Sequence, residues 1–247
     1  MQKYIEYLSD WLESERIYRK ADGFIIGISG GIDSAVVSYL LSRKHKNQTI
    51  GVMLPCKSDT KDLEDAQLVV DSLGLMHHIV DLSATHDALF SAIDGAMATN
   101  DINDARVIDG NGRARLRMSA LFAIAQSKNY LVVGTDNAAE WYTGYFTKFG
   151  DGGVDIAPLL HLTKQEVWQM AEVLGVPQEL IDKKPSAGLW ENQTDEDEIG
   201  TTYAMIEKHL KGEGIPDHDK KVIAYWHDRS EHKREMPRIP KKKEPSR

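Results

Sequence analysis

Short apolar runs alternate with longer stretches in which apolar residues recur every three to four positions. Ile5, Leu8 and Leu12 share one face of a helix over Tyr4–Arg16. The run "GFIIGIS" (Gly23–Ser29) then predicts a strand and "AVVSYLLSRK" (Ala35–Lys44) a helix. The same alternation continues with a strand at Thr49–Pro55, a helix at Lys61–Gly74, a strand at His77–Leu82 and a helix at Asp87–Ala98. A long helix follows at Ala105–Asn129, with Gly110 and Gly112 expected to interrupt it, and then a fourth strand at Tyr130–Thr135. The rest reads as mostly helical, with a glycine-rich loop at Lys148–Asp155. Strands joined by helical crossovers predict an α/β fold: a doubly wound, mostly parallel sheet with helices on both faces and a helical C-terminal part. Such sheets bind ligands at the carboxyl ends of their strands.

The first strand runs into "SGGIDS" (Ser29–Ser34) before the helix begins. A strand delivering adjacent glycines into a helix N-terminus offers free backbone N–H groups to an anion, reinforced by the helix dipole. The spacing is not that of the lysine-containing P-loop, nor G-x-G-x-x-G. Asp33 stands where that lysine would be, which points to pyrophosphate bridged by a metal. A tight turn with a capping serine or aspartate would explain one glycine and one cap, but not the whole string.

Composition narrows the class. The 247 residues are 41% hydrophobic and 28% charged, enough for one large domain. We expect a single α/β domain over 1–233 followed by a basic tail over 234–247. No stretch approaches the roughly 18 apolar residues of a membrane span, and the acidic amphipathic start is unlike a secretory signal, so a cytoplasmic protein is expected. The lone Cys56 leaves no internal disulfide and no cysteine-rich zinc site, and it reads as an unreactive loop thiol. A net charge of −8 argues against a general nucleic-acid binder, while a small anion needs only a local basic pocket.

"SGGIDS" resembles the signature of the PP-loop ATP pyrophosphatases, which have the adenine nucleotide alpha hydrolase-like fold. By itself it leaves several amidating and thiolating enzymes open. "NGRARLRM", "VVGTDNAAEWYTGYFTKFGDGGVDIAPL", "LTKQEVWQMAEVLGVP" and "KKPSAGLWENQTDEDEIG" together resemble the NAD synthetases. The resemblance implies ATP-dependent amidation of deamido-NAD with ammonia, through an acyl-adenylate. It implies ATP contacts at Gly27, Ile28, Ser29, Gly30, Gly31, Ile32, Asp33, Ser34, Thr135, Lys164 and Ser186, and Mg²⁺ on Asp33 and Glu140. Asp33, Glu140 and Lys164 are the expected catalytic groups. Arg115, Lys148, Asp155, His232 and Lys233 are expected around deamido-NAD, whose pyrophosphate and carboxylate call for cations. A homodimer building the dinucleotide pocket from both subunits is implied as well.

Plainer readings stand beside these. Of Arg113, Arg115 and Arg117, alternating along one helix, at least one should face solvent. Glu140 fits an ordinary exposed first-turn carboxylate of a helix beginning near Asp136. Trp141, Tyr142, Tyr145 and Phe146 fit a packed aromatic cluster as well as a stacking platform. "ENQTDEDE" reads as a solvated helix start capped by Thr194, and Lys183–Ile199, with Pro185, Gly188 and Trp190, as a segment closing over substrates. A regulator that holds ATP without turning it over would need the cradle but neither the metal pair nor a second cationic pocket. Glutamine-dependent amidation would need a separate amidase of about two hundred residues, so free ammonia is the expected donor.

Overall fold

The strand that carries the cradle is buried on both faces. The computed structural model describes residues 1–96, 105–186 and 194–241. Among them, β1 (Gly23–Gly27), β2 (Thr49–Met53), β3 (His77–Ile79) and β4 (Tyr130–Val133) form a parallel sheet in the order β3-β2-β1-β4. Ile25 pairs with Ile50 on one side and Val132 on the other. Parallel strands covered on both faces need apolar side chains in both directions, and "FII" supplies them.

Alternation along β1 sorts the helices. Phe24 and Ile26 join Met53, Leu131 and Val133 in a core with α1 (Gln2–Tyr18), α2 (Ile32–His45), α3 (Thr60–Leu73), α7 (Lys164–Leu174) and α8 (Gln178–Ile181). Ile25, Ile50, Val52 and Val132 point the other way, against Met118, Leu121 and Ala125 of α5 (Ala105–Lys128). The sheet is therefore doubly wound, as the alternation predicts. A third apolar cluster joins α6 (Ala138–Thr143), α9 (Asp195–Ile199), α10 (Tyr203–Leu210) and α11 (Asp217–Arg234) through Ala139, Ile199, Tyr203, Ile206 and Ile223.

The predicted interruption of α5 is absent: the helix runs unbroken through both glycines. Gly110 is buried, and a Cβ on Gly112 would stand 2.7 Å from the Phe90 ring of α4 (Ser83–Ala96). Gly112 brings two helices close, and neither glycine breaks the helix. The third strand is shorter than predicted, ending at Ile79, although Val80 N and Leu82 N still donate to Met53 O and Pro55 O. Among the described residues no helix is long and apolar enough to cross a membrane.

The chain adds β2 and β3 on one side of β1 and returns to place β4 on the other. The loops leaving β1 and β4 diverge there, opening a crevice at the carboxyl ends of the strands. Docking of α1 rests on Ile5, Leu8 and Leu12, each at most 1% exposed. Leu12→Ala should lower the unfolding free energy by about 2–5 kcal/mol, the range for a leucine truncated in a packed core. Urea denaturation checks this, and a loss under about 1 kcal/mol would mean that α1 is peripheral.

Candidate active site

β1 leaves the sheet at Gly27 and reaches α2 through Ile28–Gly31. Gly30 takes a left-handed φ of +76°, where a Cβ would also come within 2.7 Å of Asp62 O and 2.8 Å of Asp65 Cβ. A glycine is required there on both counts. Gly31 is the N-cap of α2 and makes no side-chain cap, so the first N–H groups of the helix stay available. The two serines shape the loop: Ser34 Oγ donates to Gly31 O at 2.9 Å, and Ser29 Oγ accepts from Gly31 N at 3.2 Å.

Asp33, in the first turn of α2, reaches the N-termini of two other helices. Its Oδ2 accepts from Lys164 Nζ at 2.5 Å and its Oδ1 from Asn137 Nδ2 at 3.1 Å. Lys164 opens α7 behind a Thr163–Glu166 capping box. Asn137 caps α6 and forms a second box with Glu140: Asn137 Oδ1 accepts from Glu140 N, and Asn137 N donates to Glu140 Oε2 at 2.9 Å. The box aims Glu140 Oε1 at Lys164 Nζ, 3.5 Å away. Glu140 is thus no ordinary exposed residue; its side chain is 13% exposed.

Two carboxylates face one buried ammonium. Burial disfavours the charge on Lys164, but Asp33 and Glu140 outweigh it and its pKa is raised. Burial raises Glu140 to about 7, against the pull of Lys164. Burial, with Asp151, Glu140 and Asp33 nearby, pushes Asp136 well above the ordinary carboxylate range.

The cluster lies in a cavity of about 820 Å³ at the strand ends. That volume suits a nucleotide-sized ligand. Of the residues named from sequence, Gly27, Ile28, Ser29, Gly31, Ile32, Asp33, Ser34, Thr135, Glu140, Lys164, Ser186, His232 and Lys233 line it. Gly30 lies behind the cradle against α3. Arg115, Lys148 and Asp155 are not in the wall. Arg115 is exposed and donates to Lys148 O at 3.2 Å, and Lys148 Nζ donates to His232 O and Glu235 O. Asp155 Oδ2 accepts from Val132 N at 2.8 Å. Lys233 Nζ donates to Gly144 O at 2.8 Å and Phe146 O at 2.7 Å, and burial lowers its pKa.

Sequence reasoning passed over Arg117, Asp136, Asp195 and Tyr203. Arg117 lines the cavity and donates to Leu54 O at 3.0 Å and Ser58 Oγ at 2.9 Å. Its signal was its place four residues before the core residue Leu121, the same helical face; Arg115 lies about 200° away around the helix. The aromatic residues resolve largely as packing, with Trp141 stacked on Phe146 at 4.8 Å and Tyr142 on His227 at 4.1 Å. Cys56 is buried, which raises its pKa and fits an unreactive thiol. Thr194 caps α9 as predicted, yet Asp195 behind it is buried, not solvated. Gly188 and Trp190 lie outside the described residues, while Lys183 pairs with Asp62 at 2.9 Å and Asp65 at 2.7 Å.

Comparison with known proteins agrees with this geometry. The family described as NAD synthase matches residues 4–237. The NH(3)-dependent NAD(+) synthetase of Alkaliphilus oremlandii is 48% identical over 244 residues, 98% of each chain. The solved NMN synthetase of Francisella tularensis is 41% identical and superimposes with a TM-score of 0.91 over 97% of this chain and 98% of its own. The NH3-dependent NAD synthetase of Campylobacter jejuni, solved with a nitrate ion, is 28% identical with a TM-score of 0.78, over 97% and 98%. The cradle, the buried lysine with its two carboxylates and these full-length similarities lead to one assignment: the chain belongs to the NAD synthase family.

Proposed function

We propose that this chain catalyses ATP-dependent amidation of deamido-NAD by ammonia, the last step of NAD biosynthesis, releasing AMP and pyrophosphate. The observation that carries the reading is the meeting, in one cavity, of the bare α2 N-terminus, the Lys164–Asp33–Glu140 cluster and the cationic wall at His232 and Lys233. A carboxylate resists ammonia because its leaving group would be oxide. Its oxygen therefore first attacks the α-phosphorus of ATP, and the bond to the β-phosphate oxygen breaks. Ammonia then attacks the acyl carbon of the adenylate, AMP leaves, and the nitrogen loses a proton. The chain contributes placement and charge: the cradle N–H groups hold the departing pyrophosphate and Lys164 offsets its charge. No protein nucleophile is needed.

The donor set fits Mg²⁺. Hard carboxylate oxygens suit it, and it is commonly held by one or two carboxylates plus substrate phosphates. Among the described residues no three metal-binding side chains form a ready cage. Asp33 and Glu140 converge within 3.5 Å of one cation, and burial holds Glu140 up at about 7 against that cation's pull. Mg²⁺ bound there would neutralise charge on the phosphates during the displacement. Thr135 and Ser186 line the same cavity, and their hydroxyls would donate to ATP.

Arg115, Lys148 and Asp155 stand outside the cavity of one chain; Ile108, on the same helix as Arg115, and Phe149, beside Lys148, are exposed apolar residues. Exposed apolar residues beside unassembled binding groups support a homodimer in which a second copy completes the dinucleotide site. We place the catalytic unit at 1–233 and the protein in the cytoplasm, where these metabolites reside. A second reading is favoured by one comparison: the NMN synthetase superimposes more closely than the Campylobacter enzyme. In it the acceptor is the nicotinate mononucleotide, with the same carboxylate and the same chemistry.

Asp33→Asn keeps the shape of the side chain and removes its charge, so adenylation should fall about a hundredfold or more while ATP still binds the cradle. Pyrophosphate release and ATP titration separate the two effects; near-normal turnover would remove Asp33 from the mechanism.

Glu140 has a folded pKa of about 7 against an ordinary 4.5. Between those values the metal-free folded chain binds the extra proton, so stability is lost as pH rises through that window. In EDTA, Glu140→Gln should melt near the wild type at pH 5 and gain on it by pH 8. A constant offset would contradict the burial argument.

The full reaction is tested with ATP, Mg²⁺ and each acceptor in turn, with ammonium or glutamine as donor. Ammonium should support amidation and glutamine alone should not. The ratio of kcat/KM for deamido-NAD and the mononucleotide decides between the two readings, and amidation of neither refutes both.

A further inference from the structure

The acidic run at the start of α9 hides a residue aimed inward. Asp195 is 4% exposed and stands in the cavity wall. Its Oδ2 accepts from the Tyr203 hydroxyl at 2.7 Å, and the same hydroxyl oxygen lies 3.2 Å from Glu140 Oε1. A phenol has one proton to give. The shorter contact assigns it to Asp195. Burial, with Glu140 and Asp195 adding to it, raises the Tyr203 pKa, so the proton stays on the oxygen and the only variable is where it points.

Its direction matters for Glu140. Turned toward Glu140, the hydroxyl would occupy a lone pair on Oε1, the oxygen that faces Lys164 at 3.5 Å and the cavity beyond. Turned toward Asp195, it leaves that oxygen to cations. The other oxygen, Oε2, is already committed to Asn137 N. Asp195 is buried beside the Tyr145 hydroxyl, which donates to Glu198 Oε2 at 2.7 Å, and burial raises the Asp195 pKa despite Tyr203 and Lys164 nearby. A carboxylate buried on such terms is costly, and stability alone gives no reason for it.

We propose that Asp195 is a positioning residue: by drawing the Tyr203 proton away from Glu140, it keeps Glu140 Oε1 free to hold the divalent cation of the ATP complex. This rests on the reading that Glu140 is a metal ligand. In Asp195→Asn the acceptor becomes a neutral amide, and the phenol turns to the remaining charged acceptor, Glu140, because hydrogen bonds to ionised groups are the stronger. Removing the phenol proton as well should undo the damage.

The test measures Mn²⁺ binding in the presence of ATP without any nicotinate acceptor, by the electron paramagnetic resonance signal of free Mn²⁺, alongside Mg²⁺ activation of the full reaction. Asp195→Asn should weaken Mn²⁺ binding and raise the Mg²⁺ requirement about tenfold, the scale of one hydrogen bond to a charged group. The double variant Asp195→Asn/Tyr203→Phe should return Mn²⁺ affinity to within about twofold of wild type. Equal weakening in the single and double variants, or none in the single, overturns the proposal. If Asp195→Asn does not fold, Tyr203→Phe alone decides: binding as tight as wild type or tighter supports the proposal, and weaker binding overturns it. Glu140→Gln separates the two claims. Unchanged Mn²⁺ binding in that variant sinks the metal-ligand reading and this proposal with it, whereas loss there with an intact Asp195→Asn sinks only this proposal.

Discussion

The buried ammonium of Lys164, between Asp33 and Glu140, ties together three helix starts far apart in sequence. An unpaired charge in the interior would cost far more than a folded domain has to spare, so these side chains can be buried only together. Position in the helix adds a second constraint. Asp33 and Glu140 lie in first turns, where the helix dipole favours carboxylates, but Lys164 also lies in a first turn, where the dipole opposes a cation. Its place there depends on the two acids. The arrangement aims the N-termini of α2, α6 and α7 at one point and leaves it one positive charge short, which is the condition for recruiting a further cation together with phosphates.

Topology makes this convergence possible. With β1 central and β4 added on the opposite side from β2, the loops after β1 and β4 separate at the sheet edge and carry Asp33 and Glu140 toward each other. Close approaches hold the geometry. Gly30 admits α3 against the cradle, and Gly134 admits Val154, whose side chain would lie 2.7 Å from a Cβ. Gly134 lines the cavity and Gly30 lies behind it, and both fix where the cavity-facing backbone lies.

The sheet and its covering helices were legible because period two and period 3.6 are local properties of the chain. The cradle was legible because a plain capped turn accounts for only one of its glycines and one cap. The misreadings share a cause. Gly110 and Gly112 looked like helix breakers because propensity ignores a neighbour; Gly110 is buried, and Gly112 faces the Phe90 ring. Asp195 looked solvated because its neighbours in sequence are acidic, whereas its neighbours in space are Tyr203 and the cavity. Arg115 and Arg117 are two residues apart and point to different surroundings, one exposed and one in the wall. Burial inside a cavity is a tertiary fact, announced locally by the capping pattern Asn137-x-x-Glu140 and by the helical spacing of Arg117 from Leu121.

The remaining cations differ from Lys164 in a way that bears on the chemistry. Lys233 and Arg117, in the cavity wall, and Lys148 and Arg115, outside it, are held mainly by backbone carbonyls. A carbonyl fixes the direction of a cation without neutralising it. On the proposed reading these groups would serve an anion, while the Asp33–Glu140 carboxylates around Lys164 would serve a metal. Under the proposed reaction these two groups of side chains would divide tasks that would interfere if mixed: gathering a metal-bound triphosphate at the carboxylates, and orienting the nucleotide that bears the nicotinate carboxylate at the cations. The α11 wall is then as much a part of the site as the cradle, although the two are about two hundred residues apart in a fold where loops of any length can close at modest entropic cost.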